Sequence, residues 1–557
     1  MKRYIGALLL LSLLVACDKE EITSVTIDST FKSYLLENFD LNKDGTISMD
    51  EAALVKEIDC SDKTIYRLYG IQEFPNLEVL LCNNTKISSI DVSKNTKLKT
   101  LMCDGTNLVK VDVSNNPLLE TLSCKDGGIL DSVYLNAALK KLDIRGHRMD
   151  KVDFNQNKYL KELYCGGPNL TVLDVGMSVL EVLDCSEATL STLNIAGCTT
   201  LKVLSCKAES ISLDLSNCPN LEELYVSGSL NLDVSHSPLL RKLHCENSVF
   251  AGLDLANNPL LEDLKLQGSN QDLIDLSKNL RLVNLELFIP IRQSLLDLSN
   301  RNTLKTFSYR QWGEGEHKID LLDISGCPLL EELNLEYLNI TSLDVSDCRA
   351  LSILNCYDSR LRELDIRGCT NLSVLDCRGN DLTTLELIEC TKLTALNCSG
   401  NQLTSLQTNS ANLTILNCVS NYITSINVRN LSRLTELYCN DNAITSLNLT
   451  GCTSLVELDC RNTPSLESLI LTGCSSLEIL YCTNASLTQL DIRACTALTH
   501  LYCAANRLQP SLDASKCPNL KELNCISNIG LTELILRSDH AIKPLYKDAQ
   551  TQIVLVN

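Results

Sequence analysis

A solenoid of short parallel β-strands is the fold this sequence predicts, on three observations. A leucine pair spaced L-x-x-L returns about every twenty-one residues, at Leu77, Leu98, Leu119 and Leu139 and on through Leu520. A cysteine stands two places after the second leucine in most units, as in "LTALNCSGNQLTSL". The repeat extends from about residue 55 to 536. Each unit exposes an apolar face that only its neighbour can bury, so stacked units make one continuous core. The length of 557 residues would by itself suggest several domains, and the repeat overrules that prior.

The full unit reads L-x-x-L-x-C-x-x-N-x-L-x-x-L-D-V-S-x-N/C, which is leucine-rich-repeat periodicity. In the segment x-x-L-x-C, Leu and Cys alternate with polar residues, so they point inward from a strand while the residues between them face out. Successive strands then form a parallel sheet on one face. The return half, L-x-x-L-D-V-S, is too short for a helix and is expected to run as extended or turn-like chain. Its Asp recurs at Asp91, Asp112, Asp214, Asp254, Asp323 and Asp344, the behaviour of a residue closing the same turn on nearby backbone N–H groups.

Taken from the start, the chain opens "MKRYIGALLLLSLLVACDKEE", a basic beginning and an apolar run too short to span a bilayer. Residues 1–16 read as a signal peptide. Leu14-Val15-Ala16-Cys17 resembles the bacterial lipobox, which implies acylation of Cys17 and a membrane tether through lipid. The acidic "DKEE" that follows resembles a tag for export to the outer face, so the expected location is that of an outer-membrane lipoprotein exposed at the cell surface. Residues 17–30 are assigned to a linker.

Residues 31–55 form a predicted calcium-binding cap. "DLNKDGTISMDE" matches the EF-hand loop at each position that does chemistry: Asp40, Asn42 and Asp44 offer hard oxygens, Gly45 makes the turn, and Thr46 supplies a carbonyl. Ser48 stands where a water bridges, and Glu51 can bind calcium with both oxygens. Flanking segments with helical spacing predict helix-loop-helix, the only sizeable helix in the chain. Val55, Ile58 and Cys60 already hold solenoid positions, so the second helix should run directly into the first strand. The solenoid is assigned to 55–536 and a C-terminal cap to 537–557.

The cysteines fall in two columns, one at the strand (Cys60 through Cys525) and one at the turn after the return half (Cys198 through Cys517); with Cys17 they account for all 28. Thiols stacked in register on parallel strands keep their Cβ atoms near the strand spacing, beyond the roughly 3.8 Å a relaxed disulfide prefers. They are therefore expected to stay reduced and to fill a core too narrow for Leu.

The units "LTALNCSGNQLTSL" and "LKTLMCDGTNLVKVDVSNNPL" resemble the cysteine-ladder leucine-rich repeats of bacterial surface proteins of the internalin J type. That resemblance implies an adhesive or interaction role. A C-terminal sorting signal, a helical internalin cap and a following immunoglobulin-like module are parts of that pattern not expected here.

Composition and motifs exclude other classes. The chain carries 49 basic against 69 acidic residues, an excess that repels phosphate backbones, so nucleic acid is not an expected partner. It has only six histidines, with no H-E-x-x-H, no G-x-S-x-G and no phosphate-binding glycine loop, and its carboxylates follow the repeat, so it is not expected to be an enzyme. Two places depart from the pattern. Between 261 and 335 the ladder residue becomes Leu266, Leu287, Tyr309 and Leu335, and an insertion there carries the only tryptophan, Trp312. Nearer the C-terminus the outward strand column includes Tyr438, Asp459, Tyr481 and Tyr502, which suits a protein or glycan ligand. The expected role is binding of an extracellular protein or glycan; an architectural envelope scaffold and an accessory glycan-binding protein of an outer-membrane uptake system are the alternatives.

Overall fold

The computed structural model describes residues 29–557 except 177–178, 208–210, 212, 229–231, 250–251, 270–272, 292 and 311–318. Cys17 and its lipobox, and Trp312, lie outside the described residues. The chain divides into two compact units, Met1–Ser227 and Gly228–Asn557. Each is a leucine-rich-repeat solenoid of parallel strands.

In the first unit two helices, α1 (Ser29–Phe39) and α2 (Met49–Leu54), precede the coils. Helix α2 is shorter than the sequence pattern implied, because the chain turns extended at Val55 to enter the strand Glu57–Asp59. The apolar residues of α1, Phe31 and Leu35, are buried. Tyr34 donates to the Asp59 carbonyl at 2.6 Å, and Asn76 Nδ2 donates to the Ala53 carbonyl at 2.7 Å, which ties both helices to the first coils. The strands then pair parallel with leucine on leucine: Ile58, Leu80, Leu101, Leu122 and Leu142 stand opposite one another in turn. A one-residue slip would turn every one of these side chains to solvent, so burial fixes the register.

The second unit repeats the ladder, from Lys242–Val249 to Leu545–Tyr546. Its strands change length along the way. Lys242–Val249 has 8 residues and Asp263–Ser269 has 7, whereas Val374–Asp376 and the strands that follow it to Glu522–Asn524 have 3. In most of the short coils an asparagine stands three places after the ladder cysteine and closes the turn. Asn401 Nδ2 donates to the Cys377 and Cys398 carbonyls at 3.0 and 3.1 Å, and its Oδ1 accepts from Leu382 N at 3.0 Å. The side chain thus takes the bonds a continuing strand would need, and the backbone turns. Asn380, Asn421 and Asn442 do the same.

The coils do not stop at 536. Leu545–Tyr546 joins the main ladder beside Leu523 and Asn524, and Gln552–Val556 pairs with the return strand Glu533–Arg537, so residues 537–557 add a further coil instead of a separate cap. The spacing missed this because the leucine pattern fades there while backbone pairing continues.

The return half forms short strands of its own, such as Lys110–Asp112 against Ser132–Tyr134. The recurrent Asp closes the turn after it: Asp91, Asp214 and Asp344 accept from the N–H two residues on, at 3.0, 2.9 and 2.9 Å. At the following turn, asparagines and cysteines share one column. Asn116 Nδ2 donates to the Val92 and Asn95 carbonyls at 2.8 and 3.0 Å, but its Oδ1 is buried without a partner, as are those of Asn95, Asn136, Asn258 and Asn279. Cys198, Cys369 and Cys452 offer the thiol to the equivalent earlier carbonyl at 3.2, 3.3 and 3.1 Å. The thiol is a weaker donor but leaves no orphaned acceptor. Every described cysteine is buried.

Candidate binding face and calcium loop

In the loop between α1 and α2, Asp40 accepts from Asp44 N at 3.2 Å and Gly45 N at 2.9 Å, and Asp44 Oδ1 accepts from Thr46 N and Oγ1 at 2.9 and 2.8 Å. Lys43 and Gly45 adopt φ of 59° and 84°, which winds the loop back over its carboxylates. Glu51 Oε1 accepts from Leu41 N and Asn42 N, at 2.9 and 3.2 Å, and Oε2 accepts from Ser48 N and Oγ, at 2.9 and 2.8 Å. Ser48 in turn caps α2 by accepting from Glu51 N, a reciprocal capping box. These bonds, those from Ser48 foremost, hold the Glu51 carboxyl below the usual carboxylate range.

The sequence gives Ser48 and Glu51 as a water-bridging residue and a ligand; the structure employs them first as a helix cap. Asn42 turns its Nδ2 to Asp44 Oδ2 at 2.8 Å. Among the described residues, no three His, Cys, Asp or Glu side chains converge on one metal position. The donors Asp40, Asn42, Asp44, the Thr46 carbonyl and Glu51 are all hard oxygens and fit calcium in kind. To hold it, Glu51 must exchange its backbone partners for the ion, and Asn42 must turn its amide oxygen inward.

On the strand face of the second unit, Asp459, Tyr481, Tyr502 and Asn524 stand opposite one another on successive strands. The rings of Tyr481 and Tyr502 stack with centroids 4.9 Å apart and planes 9° off parallel. The Arg461 guanidinium lies 4.7 Å from the Tyr481 ring centroid and grips Asp459 through Nε and Nη2, at 3.0 and 2.6 Å. Asp459 is consequently only 5% exposed. It was predicted as an outward contact; alternation places it on the outer face, but Arg461 folds back over it, so it orients the arginine and is not itself open to a ligand. Tyr438 Oη lies 3.2 Å from both Glu436 Oε2 and Glu457 Oε2. Burial, together with those carboxylates, pushes the Tyr438 phenol well above its ordinary range. Burial and the hydrogen bond to Glu522 push Tyr502 up to about 12.

Two more clusters of this kind were not singled out from sequence. In the second unit Tyr337 and Tyr357 meet edge to face at 5.6 Å, with Arg310 5.5 Å from the first ring and Arg378 4.5 Å from the second. In the first unit Arg145 bridges Asp143 and Asp184 at 2.8 and 3.2 Å, and Arg145 and Lys141 lie 5.1 and 5.4 Å from the Tyr164 ring. The signal that could have found them is a tyrosine in the outward column with an arginine two residues past an outward carboxylate, the D-x-R of Asp143, Asp376 and Asp459.

Residues 370–411 match the family described as Leucine Rich repeats (2 copies). The repeats are leucine-rich repeats. In sequence the chain is 30% identical over 69 residues to internalin J of Listeria monocytogenes serotype 4b (strain F2365). That stretch is 12% of this chain and 8% of internalin J, so the chain spans under a tenth of that curated relative's length. Among solved structures, the functional domain of InlJ from Listeria monocytogenes, which includes a cysteine ladder, aligns over 92% of this chain and 81% of its own at 20% identity and a TM-score of 0.37. The plant peptide hormone receptor RGFR1, solved in complex with RGF2, aligns over 94% of this chain and 84% of its own at 16% identity and a TM-score of 0.56. The leucine-rich-repeat likeness to RGFR1 is one of fold alone.

Proposed function

We propose that this chain is a lipid-anchored, surface-exposed binding protein whose strand face in Gly228–Asn557 takes an extracellular protein or glycan. The stacked pair Tyr481 and Tyr502, flanked by Arg461, carries the reading. Flat, half-buried rings give a ligand a large apolar contact at little entropic cost, and their phenols and the neighbouring carboxylates supply hydrogen bonds. The single proton of Tyr438 serves Glu436 or Glu457 at any moment, which leaves the other open to a donor on the ligand.

A glycan and protein array probed with the Cys17→Ala chain identifies the ligand. Tyr481→Ala with Tyr502→Ala then abolishes binding with little loss of thermal stability, while Thr445→Ala with Thr450→Ala, on the return side, binds as the parent does. Unchanged binding by the tyrosine double variant removes this assignment. Anchoring is tested separately: metabolic labelling places an acyl chain on Cys17 and none on the Cys17→Ala chain.

Calcium is assigned to the loop as a structural ligand through Asp40, Asn42, Asp44, the Thr46 carbonyl and Glu51, with a water at Ser48. The ties from Tyr34 to Asp59 and from Asn76 to Ala53 support a cap whose tightening steadies the first coils. Calorimetry at millimolar calcium should register binding with Kd of about 0.1 to 1 mM. Glu51→Ala removes that heat; a wild-type chain that gives none ends the assignment.

A further inference from the structure

One pair of ladder thiols departs from the spacing rule that keeps the others apart. Cys103 and Cys124 follow the parallel strands Thr100–Met102 and Thr121–Ser123, on adjacent coils of the first unit. Their sulfurs lie 2.7 Å apart. That is well inside the separation of two sulfurs in van der Waals contact, and longer than a disulfide bond of roughly 2.05 Å. Both residues are buried, at 1% and 3% exposure. Cys103 Sγ also lies 3.2 Å from the Ser123 carbonyl of the next strand, as Cys82 Sγ lies 3.3 Å from the Met102 carbonyl, so what sets it apart is the second sulfur beside it.

The coil of Cys124 differs from its predecessors at the turn that follows. Thr85 and Thr106 bond the carbonyls of Cys82 and Cys103, both at 2.7 Å. The corresponding residue after Cys124 is Gly127, where an added Cβ would come within 2.5 Å of the Thr106 carbonyl. Only glycine allows this approach of the two coils. The Cys124 carbonyl is instead taken by Nε2 of the buried His147 from the next coil. Glycine on one side and histidine on the other seat this coil against the one that carries Cys103.

We propose that Cys103 and Cys124 are a modification site, joined by an intercoil disulfide when the chain folds in contact with a disulfide oxidant, while the remaining ladder thiols stay reduced. The thiolate of one cysteine attacks the oxidant disulfide and expels one thiolate. The second cysteine, losing its proton to solvent, attacks the resulting mixed disulfide and expels the other. The protein loses two protons and two electrons, and the oxidant disulfide becomes two thiols. Burial pushes the Cys103 thiol far above its ordinary range, so the exchange belongs to the stage before this coil closes. The bond then staples two coils near the cap.

The test uses the full chain refolded from denaturant in oxidised and reduced glutathione, alkylated, and digested without reduction. Mass spectrometry is expected to find one dominant cross-linked pair, the peptides of Cys103 and Cys124, short of two hydrogen masses. The intact refolded chain titrates two fewer thiols than its reduced form. Mild reductant restores both and lowers the unfolding temperature of the first unit by a few degrees. Cys124→Ser refolded in parallel shows no cross-link at Cys103. No cross-link in the parent chain, or cross-links spread among the other ladder cysteines, overturns the proposal, and neither result depends on the variant folding well.

Discussion

Within the second unit, the stretch from Lys242 to Arg310 and the stretch from Val374 to Asn524 use the same leucine register to opposite ends. In the first, strands run five to eight residues and the ladder position is held by Cys245, Leu266, Leu287 and Tyr309. In the second, strands stop at three residues and the ladder is cysteine throughout. Three residues beyond the ladder position, the second stretch carries Asn380, Asn401, Asn421, Asn442 and Asn506, with Thr463 and Ala485 between them, and the first carries no asparagine there. Where present, the amide bonds two carbonyls and an N–H and closes the turn; after Cys460 the Thr463 hydroxyl bonds the Cys460 carbonyl instead, and that strand is equally short. The irregular stretch also bears an unsatisfied donor: Nε of Arg301 is buried without a partner, while the residue is 2% exposed and gives its other nitrogens to the Asn279 and Leu276 carbonyls at 2.8 Å.

The largest expected effect follows from removing one of those amides. Asn401→Ala strands the Cys377 and Cys398 carbonyls and the Leu382 N–H, and should cost about 2–4 kcal/mol in urea unfolding. Ser248→Ala in the long-strand stretch, which loses one bond to the Glu246 carbonyl, should cost about 1 kcal/mol or less. Equal losses would break the comparison.

Exchanging ladder residues is next. Cys398→Leu should destabilise by about 1–3 kcal/mol through overpacking, and Leu287→Cys by about 2 kcal/mol through the cavity it leaves. A Cys398→Leu chain as stable as the parent would show that the short-strand core is not narrow. Arg301→Asn, which installs the column's usual residue and removes a desolvated charge, should change stability by about 1 kcal/mol or less despite the lost volume.

The smallest effect concerns neither stretch and serves as their control. Glu51 has a lowered carboxyl pKa in the folded state, so its contribution is present above the unfolded value and is lost as pH falls through the folded one. Acid should therefore lower the unfolding temperature of the first unit more in the parent than in Glu51→Gln, with Lys242–Asn524 unmoved. A shift of equal size in that region would mean the acid response lies elsewhere.

Much of this arrangement was legible before any coordinates. Leucine spacing gave the parallel register, because burial leaves a strand no second choice of face. The turn role of Asp91 and Asp344 followed from its recurrence. What escaped depends on long side chains and on small displacements. Alternation assigns Asp459 to the outer face but cannot show Arg461 lying over it. The match of Asp40 to Glu51 gives the order of calcium donors, not the hydrogen bonds that engage Glu51 in their place. The approach of Cys103 to Cys124 needs Gly127 and His147 together, from two different coils, and no single-unit pattern contains both.

The asparagine that closes the turn in most of these coils also makes the molecule's length negotiable. Asn421 reaches back to the Cys398 carbonyl at 3.0 Å, and Asn442 reaches the Cys418 carbonyl at 2.9 Å in the same way. Excising residues 413–433 would join Asn412 to Leu434 and bring the Asn442 amide to the carbonyl that Asn421 now holds. The Asn442 amide, the Thr435 N–H and the Leu403 N–H would each find an acceptor of the same kind as the one lost. A chain shortened in this way should fold with an unchanged transition shape in urea, and one cut at a register other than a whole coil should not. Gain or loss of coils by unequal recombination is thus nearly free of structural penalty here, and the reach of the binding face can be reset without redesigning any residue in it.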